Sequence, residues 1–158
     1  VVAAGCSPGA AAPPTGGAAT VVSVTDGDTI DVELGGEEES IRLLGIDTPE
    51  THHPTKPVEC FGAEASAQTA ALLPPGTEVR LVRDVEARDR YGRLLAYVYR
   101  ADDGLFVNRA LVTDGFATTL DIAPNDAHAA ELARLVSEAR AEGRGLWGAC
   151  GGPDVPVR

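Results

Sequence analysis

The sequence has no run of apolar residues long enough to cross a lipid bilayer. A membrane-spanning helix needs about 18 or more consecutive apolar residues, whereas the apolar residues here fall in short periodic runs between turn signals. The same periodicity argues against a fully disordered chain. Because 158 residues are enough to bury a hydrophobic core, we expect one folded domain.

Basic residues are scarce as well. The 13 Lys and Arg residues are outnumbered by 24 Asp and Glu residues, which gives a formal net charge of −11. A chain of this charge has no overall attraction for phosphate polymers, so composition alone argues against nucleic-acid binding. Such a function would require a local basic site that acts against the overall field.

Methionine is absent and cysteine is rare. Cys6 ends the segment VVAAGC, which resembles the end of a bacterial lipoprotein signal, where small residues precede a cysteine that becomes lipidated. The alternative is an Ala/Gly-rich tail with a chance cysteine. Together with the missing Met, this pattern leads us to expect a secreted protein anchored to the bacterial membrane surface through lipid on Cys6.

The other two cysteines, Cys60 and Cys150, flank the body of the chain. If Cys6 carries lipid, they form an even pair, which an oxidising compartment favours as a disulfide. The alternative is two thiols in a cytosolic protein, since sequence does not show whether their Cα atoms come within ~7 Å.

The two ends of the chain have a different composition from its body. Residues 1–19 are rich in Pro, Gly and Ala without periodicity, which predicts a disordered tether. Residues 151–158 are also interrupted by Gly and Pro, which predicts a flexible tail. The folded domain is therefore predicted to span residues 20–150.

Turn signals divide the body into short elements. We predict strands at 20–25, 30–34, 41–46, 77–83 and 93–99, helices at 61–73, 107–114 and 126–142, and a solvated acidic loop at 37–39. Five strands with a helix between the third and the fourth are typical of a small Greek-key barrel of the OB type. The predicted fold class is thus mainly β with α, a five-stranded barrel with three α-helices.

Polar residues that solubility does not explain gather at the strand ends. If the strands pair as a meander, the start of the second strand lies beside the end of the third, which brings Asp28 toward Asp47. Two carboxylates and a carbonyl at one point suit Ca²⁺. Taken singly, Asp26-Gly27 is an ordinary hairpin turn, and Asp47 begins an ordinary strand exit.

Two arginines fall at the same corner, Arg42 in the third strand and Arg93 at the start of the fifth. Planar guanidinium groups match pairs of phosphate oxygens, so two of them beside a cation would bind a phosphodiester. Glu50 is near enough to orient or deprotonate a water molecule. Together these residues predict metal-assisted phosphodiester hydrolysis, although each arginine alone would be only a surface charge.

As a set, the residues resemble the staphylococcal nuclease, or thermonuclease, family. The matching segments are VTDGDT at 24–29, RLLGIDTPET at 42–51, FGAEAS at 61–66, DRYGRLLAYVY at 89–99, NRALV at 108–112 and GLW at 145–147. They run in family order through nearly all of the predicted domain. The resemblance implies an OB-type barrel with three helices and the hydrolysis of DNA and RNA to products that end in 3′-phosphates.

The resemblance also implies a metal site and a base. The family's Ca²⁺ ligands fall on Asp28, Asp47 and the backbone carbonyl of Thr48, and Asp26 falls on a nearby carboxylate that helps to shape the site. Glu50 matches the residue usually assigned as the general base. Whether this glutamate removes a proton or only positions water is not decided by sequence.

The substrate-binding residues follow in the same way. Arg42 and Arg93 match the phosphate-binding arginines, and Tyr91 matches an aromatic residue that contacts the terminal phosphate of a bound nucleotide. Arg90 stands where the best-known member of the family has Lys, which keeps the charge. We expect a monomer that acts on DNA and RNA.

Two features depart from the family pattern. The segment TTLDIAP at 118–124 replaces one in which tyrosines line the base pocket of the best-known member, so we expect weaker substrate binding or altered base preference. The second departure is the acidic net charge, because the best-known member is strongly basic. We therefore expect a slow, salt-sensitive encounter with long polymers.

Two other classes of function fit these residues less well than a nuclease does. A non-catalytic nuclease-like module that binds nucleic acid or another surface ligand would be under no constraint to keep Asp28, Asp47 or Glu50, and all three are present. A surface adhesin or a carbohydrate-binding module would account for the tether but not for the carboxylates and arginines.

Overall fold

A computed structural model describes residues 17–157. The predicted lipid site Cys6 and most of the predicted tether lie outside the described residues. The last two tether residues, Ala18 and Ala19, are part of the first strand, in which Ala19 is buried and pairs with Val79. The strand therefore starts earlier than predicted, because a small alanine fills a buried position beside the neighbouring strand.

Within these residues the chain forms seven strands and four helices. The strands are β1 (Ala18–Asp26), β2 (Thr29–Leu34), β3 (Glu37–Leu43), β4 (Gly45–Asp47), β5 (Glu78–Val82), β6 (Leu94–Arg100) and β7 (Thr118–Leu120). The helices are α1 (Gly62–Leu72), α2 (Val107–Thr113), α3 (Ala129–Ala141) and α4 (Leu146–Ala149). None of the described helices is long and apolar enough to span a membrane.

Five of the strands close into a barrel in the order β1-β2-β3-β6-β5. Neighbouring strands are antiparallel except for β3 and β6, which are parallel. Strands β4 and β7 form a separate two-stranded sheet, and α4 is a fourth, short helix. The predicted fold class is confirmed: the molecule is an OB-type barrel with helices, mostly β with α.

The third predicted strand differs from the structure at both ends. The acidic residues Glu37–Glu39 belong to β3 and not to a solvated loop, because Gly35 and Gly36 adopt positive φ values of 63° and 88° and complete a tight hairpin turn before them. At the other end the strand breaks after Leu43. Gly45, with φ 77°, turns the chain out of the barrel, so that β4 pairs with β7 instead.

Alternating apolar residues fill the barrel. Ile30, Val32, Ile41, Leu43 and Val98 are fully buried. Helix α1 packs on β1, whereas α2 packs on β6 and against α3. The polar residues between these apolar positions lie on the surface and at one end of the barrel, where the candidate site is found.

The C-terminal residues pack back onto the domain. Cys60 and Cys150 form a disulfide with a Cα–Cα distance of 6.0 Å, which is the first of the two alternatives that the sequence leaves open. Beyond it, the Cys60 N–H donates to the Val155 carbonyl at 2.6 Å, and the Val157 N–H donates to the Val58 carbonyl at 3.0 Å. Backbone pairing and a covalent bond thus place residues 151–157 on the domain, and the flexibility of the tail at 151–158 stays a prediction.

Candidate active site

All of the predicted catalytic, metal-binding and substrate-binding residues line one cleft of about 860 Å³ at the end of the barrel. They are Asp26, Asp28, Arg42, Asp47, Thr48, Glu50, Arg90, Tyr91 and Arg93. The strand register explains their meeting, because Thr29, Arg42 and Leu95 lie in one row across β2, β3 and β6. The turn before β2, the end of β3 and the loop before β6 therefore share one edge.

The turn between β1 and β2 is tightly held. A Cβ atom on Gly27 would lie 2.7 Å from the Thr48 hydroxyl, so a side chain does not fit at this position. The Gly27 carbonyl accepts a hydrogen bond of 2.6 Å from the buried hydroxyl of Thr69 in α1. Sequence analysis missed Thr69, although a threonine on the apolar face of a predicted helix is a signal of a buried hydrogen bond.

Arg42 is the buried centre of the site. Its Nη1 donates to the carbonyls of Leu43 and Ile46, both at 2.8 Å, and these carbonyls lie on either side of the strand break. Its Nη2 donates to Asp47 Oδ1 at 2.9 Å and lies 3.2 Å from Asp28 Oδ2. The guanidinium therefore holds the path of the chain from β3 to β4 and also balances charge on two aspartates.

The aspartates carry more negative charge than Arg42 neutralises. Burial, followed by the charge of neighbouring Asp28, raises the pKa of Asp26 to about 6. The same two causes, in the same order, raise the pKa of Asp47 to about 6, even though Arg42 acts to lower it. Such carboxylates favour a bound cation, which would restore their ionised state.

Asp28 also has two neutral hydrogen-bond donors. Its Oδ2 accepts from the Thr48 N–H at 2.9 Å, and its Oδ1 accepts from the Thr29 hydroxyl at 3.1 Å. We call Asp26, Asp28, Asp47 and Thr48 the carboxylate wall. Among residues 17–157 no three acidic, imidazole or thiol side chains already enclose an ion position, but two carboxylates, a carbonyl and water oxygens are a donor set that Ca²⁺ accepts.

Glu50 follows the carboxylate wall on the loop after β4. Its Oε1 accepts hydrogen bonds from the backbone N–H groups of Thr51 at 3.0 Å and His52 at 2.9 Å. Its own N–H donates to Glu59 Oε2 at 2.9 Å. Glu59 also lines the cleft, and no sequence periodicity marks it, because the loop that contains it follows no regular pattern.

Basic and aromatic side chains from the loop before β6 line the same cleft. Arg93 Nε donates to Asp89 Oδ2 at 2.7 Å, and Arg93 Nη1 donates weakly to the Thr29 hydroxyl at 3.3 Å. Tyr91 is 67% exposed, and the Arg90 guanidinium lies 4.7 Å from its ring centre. We call Arg90, Tyr91 and Arg93 the arginine wall; its side chains are available to a ligand in the cleft.

Two further residues at the cleft were missed or only partly anticipated. Leu120 of β7 lines the cleft and is 40% exposed, within the segment TTLDIAP at 118–124 that the sequence analysis singles out. Asp154 enters the cleft from the C-terminal segment, and its charge contributes to the raised pKa of Asp47. The sequence predicts a tail at this position, so only the packing of the segment reveals Asp154 as a cleft residue.

A cleft at the end of a closed barrel that is lined by both carboxylates and arginines is suited to phosphodiester hydrolysis, and comparison with known proteins agrees with this class of enzyme. The family model described as "Staphylococcal nuclease homologue" matches residues 40–149. The chain is 39% identical over 127 residues to the thermonuclease of Staphylococcus intermedius, covering 80% of this chain and 74% of that protein.

Two further relatives agree with this match. The thermonuclease of Staphylococcus hyicus is 36% identical over 127 residues, or 80% of this chain and 73% of its own. Endonuclease YncB of Bacillus subtilis (strain 168) is 35% identical over 134 residues, or 84% of this chain and 62% of its own. The chain belongs to the staphylococcal nuclease family, and it is a nuclease.

Proposed function

We propose that this nuclease is secreted, depends on Ca²⁺, and hydrolyses both DNA and RNA to products that end in 3′-phosphates. The observation that carries the proposal is that the carboxylate wall, Glu50 and the arginine wall all line one cleft. One wall supplies oxygen ligands for a cation, and the other supplies donors for phosphate oxygens.

The carboxylate wall is where Ca²⁺ would bind. Asp28, Asp47 and the Thr48 carbonyl would be its ligands, and Asp26 would shape the site from beside them. The raised pKa values of Asp26 and Asp47 support this assignment, because they reflect burial and repulsion by Asp28, and a bound divalent cation would offset both. When bound, the ion supplies neutralisation of the negative charge that develops on the phosphoryl oxygens.

The side chains then divide the reaction between them. Arg93 binds phosphate oxygens through its planar guanidinium and stabilises the pentacovalent phosphorus. Arg42 adds positive charge from its position beside the aspartates. Glu50 accepts a proton from the attacking water, whose oxygen forms the new bond to phosphorus. The bond from phosphorus to the 5′-oxygen breaks, and that oxygen takes up a proton. The phosphate remains on the 3′ side.

Secretion is supported by the disulfide, since such bonds form and persist outside the reducing cytosol. Attachment of lipid at Cys6 stays a prediction, as does the monomeric state. Fractionation of cells that produce the full chain, before and after Cys6→Ser, tests the anchor. Lipid attachment predicts membrane association that the substitution abolishes.

The test of the proposed function is cleavage of single-stranded DNA, duplex DNA and RNA by the purified chain with Ca²⁺ or with a chelator. The variant Glu50→Gln controls for contaminating nucleases, and Glu64→Gln on the exposed side of α1 controls for the loss of one charge. We expect Ca²⁺-dependent cleavage that Glu50→Gln alone lowers to a small residual rate, and product ends that a 3′-phosphatase must treat before a polymerase extends them. A folded, Ca²⁺-supplied protein that leaves all substrates intact would instead favour the non-catalytic module.

A further inference from the structure

Glu50, the proposed base, lies on a loop, and one residue holds its backbone from both sides. The Glu50 N–H donates to Glu59 Oε2 at 2.9 Å, and the Glu59 N–H donates to the Glu50 carbonyl at 2.9 Å. Glu59 thus satisfies both backbone polar groups of Glu50. Because these bonds use only the backbone of Glu50, they orient the residue without occupying its carboxylate.

The segment that contains Glu59 is itself fastened on its other side. Residues 151–157, which we call the C-terminal strap, pair with residues 58–60 through two backbone hydrogen bonds and an antiparallel bridge between Glu59 and Pro156. The disulfide from Cys60 to Cys150 fixes the start of the strap. Glu59 therefore lies in the middle of three neighbouring segments, with the Glu50 loop on one side and the strap on the other.

The first turn of α1 closes this arrangement. A Cβ atom on Gly62 would lie 2.8 Å from Thr51 Cγ2 and 3.0 Å from the Glu50 carbonyl oxygen. The helix backbone thus approaches the Glu50 loop closely enough to exclude any side chain. Movement of residues 58–62 would be transmitted directly to Glu50.

We propose that Glu59 and the disulfide-fastened strap position Glu50 for proton transfer. Glu59 is a positioning residue, because it touches Glu50 and not the reacting atoms. A misplacement of about 1 Å in a catalytic group can lower turnover about 100-fold, so a catalytic group on a loop needs such support. The inference rests on the proposed role of Glu50 as the base.

Four variants test it: Glu59→Ala, Glu59→Gln, the double variant Cys60→Ser/Cys150→Ser, and a chain that ends after Gly152. The last keeps both cysteines and removes most of the strap. We expect kcat to fall roughly tenfold or more in all except Glu59→Gln, with KM for DNA and the Ca²⁺ concentration for half-maximal rate unchanged. Glu59→Gln keeps an oxygen acceptor for the Glu50 N–H, so it retains most of the activity.

Non-additivity distinguishes positioning from a general loss of structure. In the Glu50→Gln background, where the base is already gone, Glu59→Ala should produce no further fall in kcat. Hydrogen exchange of the metal-free protein gives a readout that needs no activity. The peptide that contains residues 49–52 should exchange faster in the three impaired variants and at the wild-type rate in Glu59→Gln and in the control Glu64→Gln.

The inference is overturned if kcat is unchanged in Glu59→Ala, if the loss is as large in the Glu50→Gln background, or if KM rises in place of the fall in kcat. Should the cysteine variant fail to fold, the two Glu59 variants decide. Failure of the proposed function looks different: the wild type itself would show no Ca²⁺-dependent cleavage sensitive to Glu50→Gln, while the exchange experiment would still report on the contact.

Discussion

The two walls of the cleft differ in how their side chains are buried and hydrogen-bonded. Asp28 and Thr48 of the carboxylate wall, with Arg42 beside them, are each less than a tenth exposed; Asp28 accepts a hydrogen bond from the Thr48 N–H and forms a short ion pair with Arg42. In the arginine wall, Arg93 is partly exposed and Tyr91 is two-thirds exposed. The carboxylate wall is thus anchored in the folded core through Asp28 and Thr48, although the side chain of Asp47 reaches solvent, whereas the arginine wall lies on a surface loop.

Because of this difference, we expect substitutions to have different effects in the two walls. A cation requires ligands held in place before it binds, and buried, mutually bonded groups meet this requirement. A nucleic acid presents bases and phosphates in many arrangements, which exposed arginine and tyrosine side chains can follow. Substitutions in the carboxylate wall should therefore affect folding and activity together, and those in the arginine wall should affect activity alone.

The largest effect on stability is expected for Arg42→Met. The substitution removes a buried cation that balances Asp28 and Asp47 and that satisfies two backbone carbonyls, so unfolding free energy should fall by about 3–5 kcal/mol. Arg93→Met, on the other wall, should change it by less than about 1 kcal/mol, because the ion pair with Asp89 is partly solvated. Urea denaturation of both variants measures the contrast, and equal losses would break the comparison.

Arg93→Lys should separate activity from stability. The charge is kept but the paired donors are lost, so we expect kcat to fall about 100-fold to 1,000-fold with little change in the urea midpoint. Arg134→Lys, at an exposed position of α3, is the matched control and should cleave DNA at the wild-type rate. Wild-type turnover in Arg93→Lys would remove this residue from the phosphate site.

The carboxylate wall should also have its own pH dependence. The folded-state pKa values of Asp26 and Asp47, about 6, exceed the usual value of 3.8, so the folded protein binds more protons than the unfolded one between these values. In the absence of metal, their contribution to stability is therefore lost as pH rises from about 4 to about 6. Ca²⁺ should cancel this loss by compensating the ionised groups.

The measurement is the unfolding free energy against pH for the wild type and for Asp26→Asn/Asp47→Asn, each with a chelator. Subtracting the two curves removes the opposite contribution of carboxyls with lowered pKa, such as Glu39 and Asp103, because both proteins contain them. A difference curve that is flat between pH 4 and pH 6 would show that the pKa values of these two aspartates are not raised in the folded state.

The smallest effect is expected for Leu120→Tyr. An exposed leucine at the cleft offers apolar contact but no aromatic face, and stacking on an aromatic side chain contributes roughly 1–3 kcal/mol per base. The substitution should lower KM for single-stranded DNA about fivefold or more, with kcat unchanged. Leu120→Phe should act similarly, whereas Leu120→Ile provides a control without a ring. Equal KM values for all of them would place the base elsewhere.

Sequence reasoning reached the barrel because turn pairs and apolar alternation are local signals. It also brought Asp28 toward Asp47, since hairpin pairing places the start of one strand beside the end of the next. Sequence reasoning did not identify Thr69, Glu59 or Asp154, and the reason is the same for all three. Each acts through a contact with a segment far along the chain, and such contacts follow from packing and not from periodicity.

The acidic residues at 37–39 show the opposite case. Their charge indicated a loop, yet a strand restricts only the backbone, and side chains that point to solvent are compatible with it. Glu39 even pairs with Arg88 across the surface. Turn residues were the better guide here, because the two glycines require the hairpin that makes β3 begin at Glu37.

The disulfide has one more consequence. Cys60 and Cys150 are 90 residues apart, so the bond makes a covalent ring of the chain that includes β5, β6, α2 and α3. A protease that cuts once within this ring, for example at the exposed turn Asp102-Asp103-Gly104, opens the ring but leaves both fragments joined. The nicked molecule keeps the Glu50 loop, the strap and both walls of the cleft in one piece.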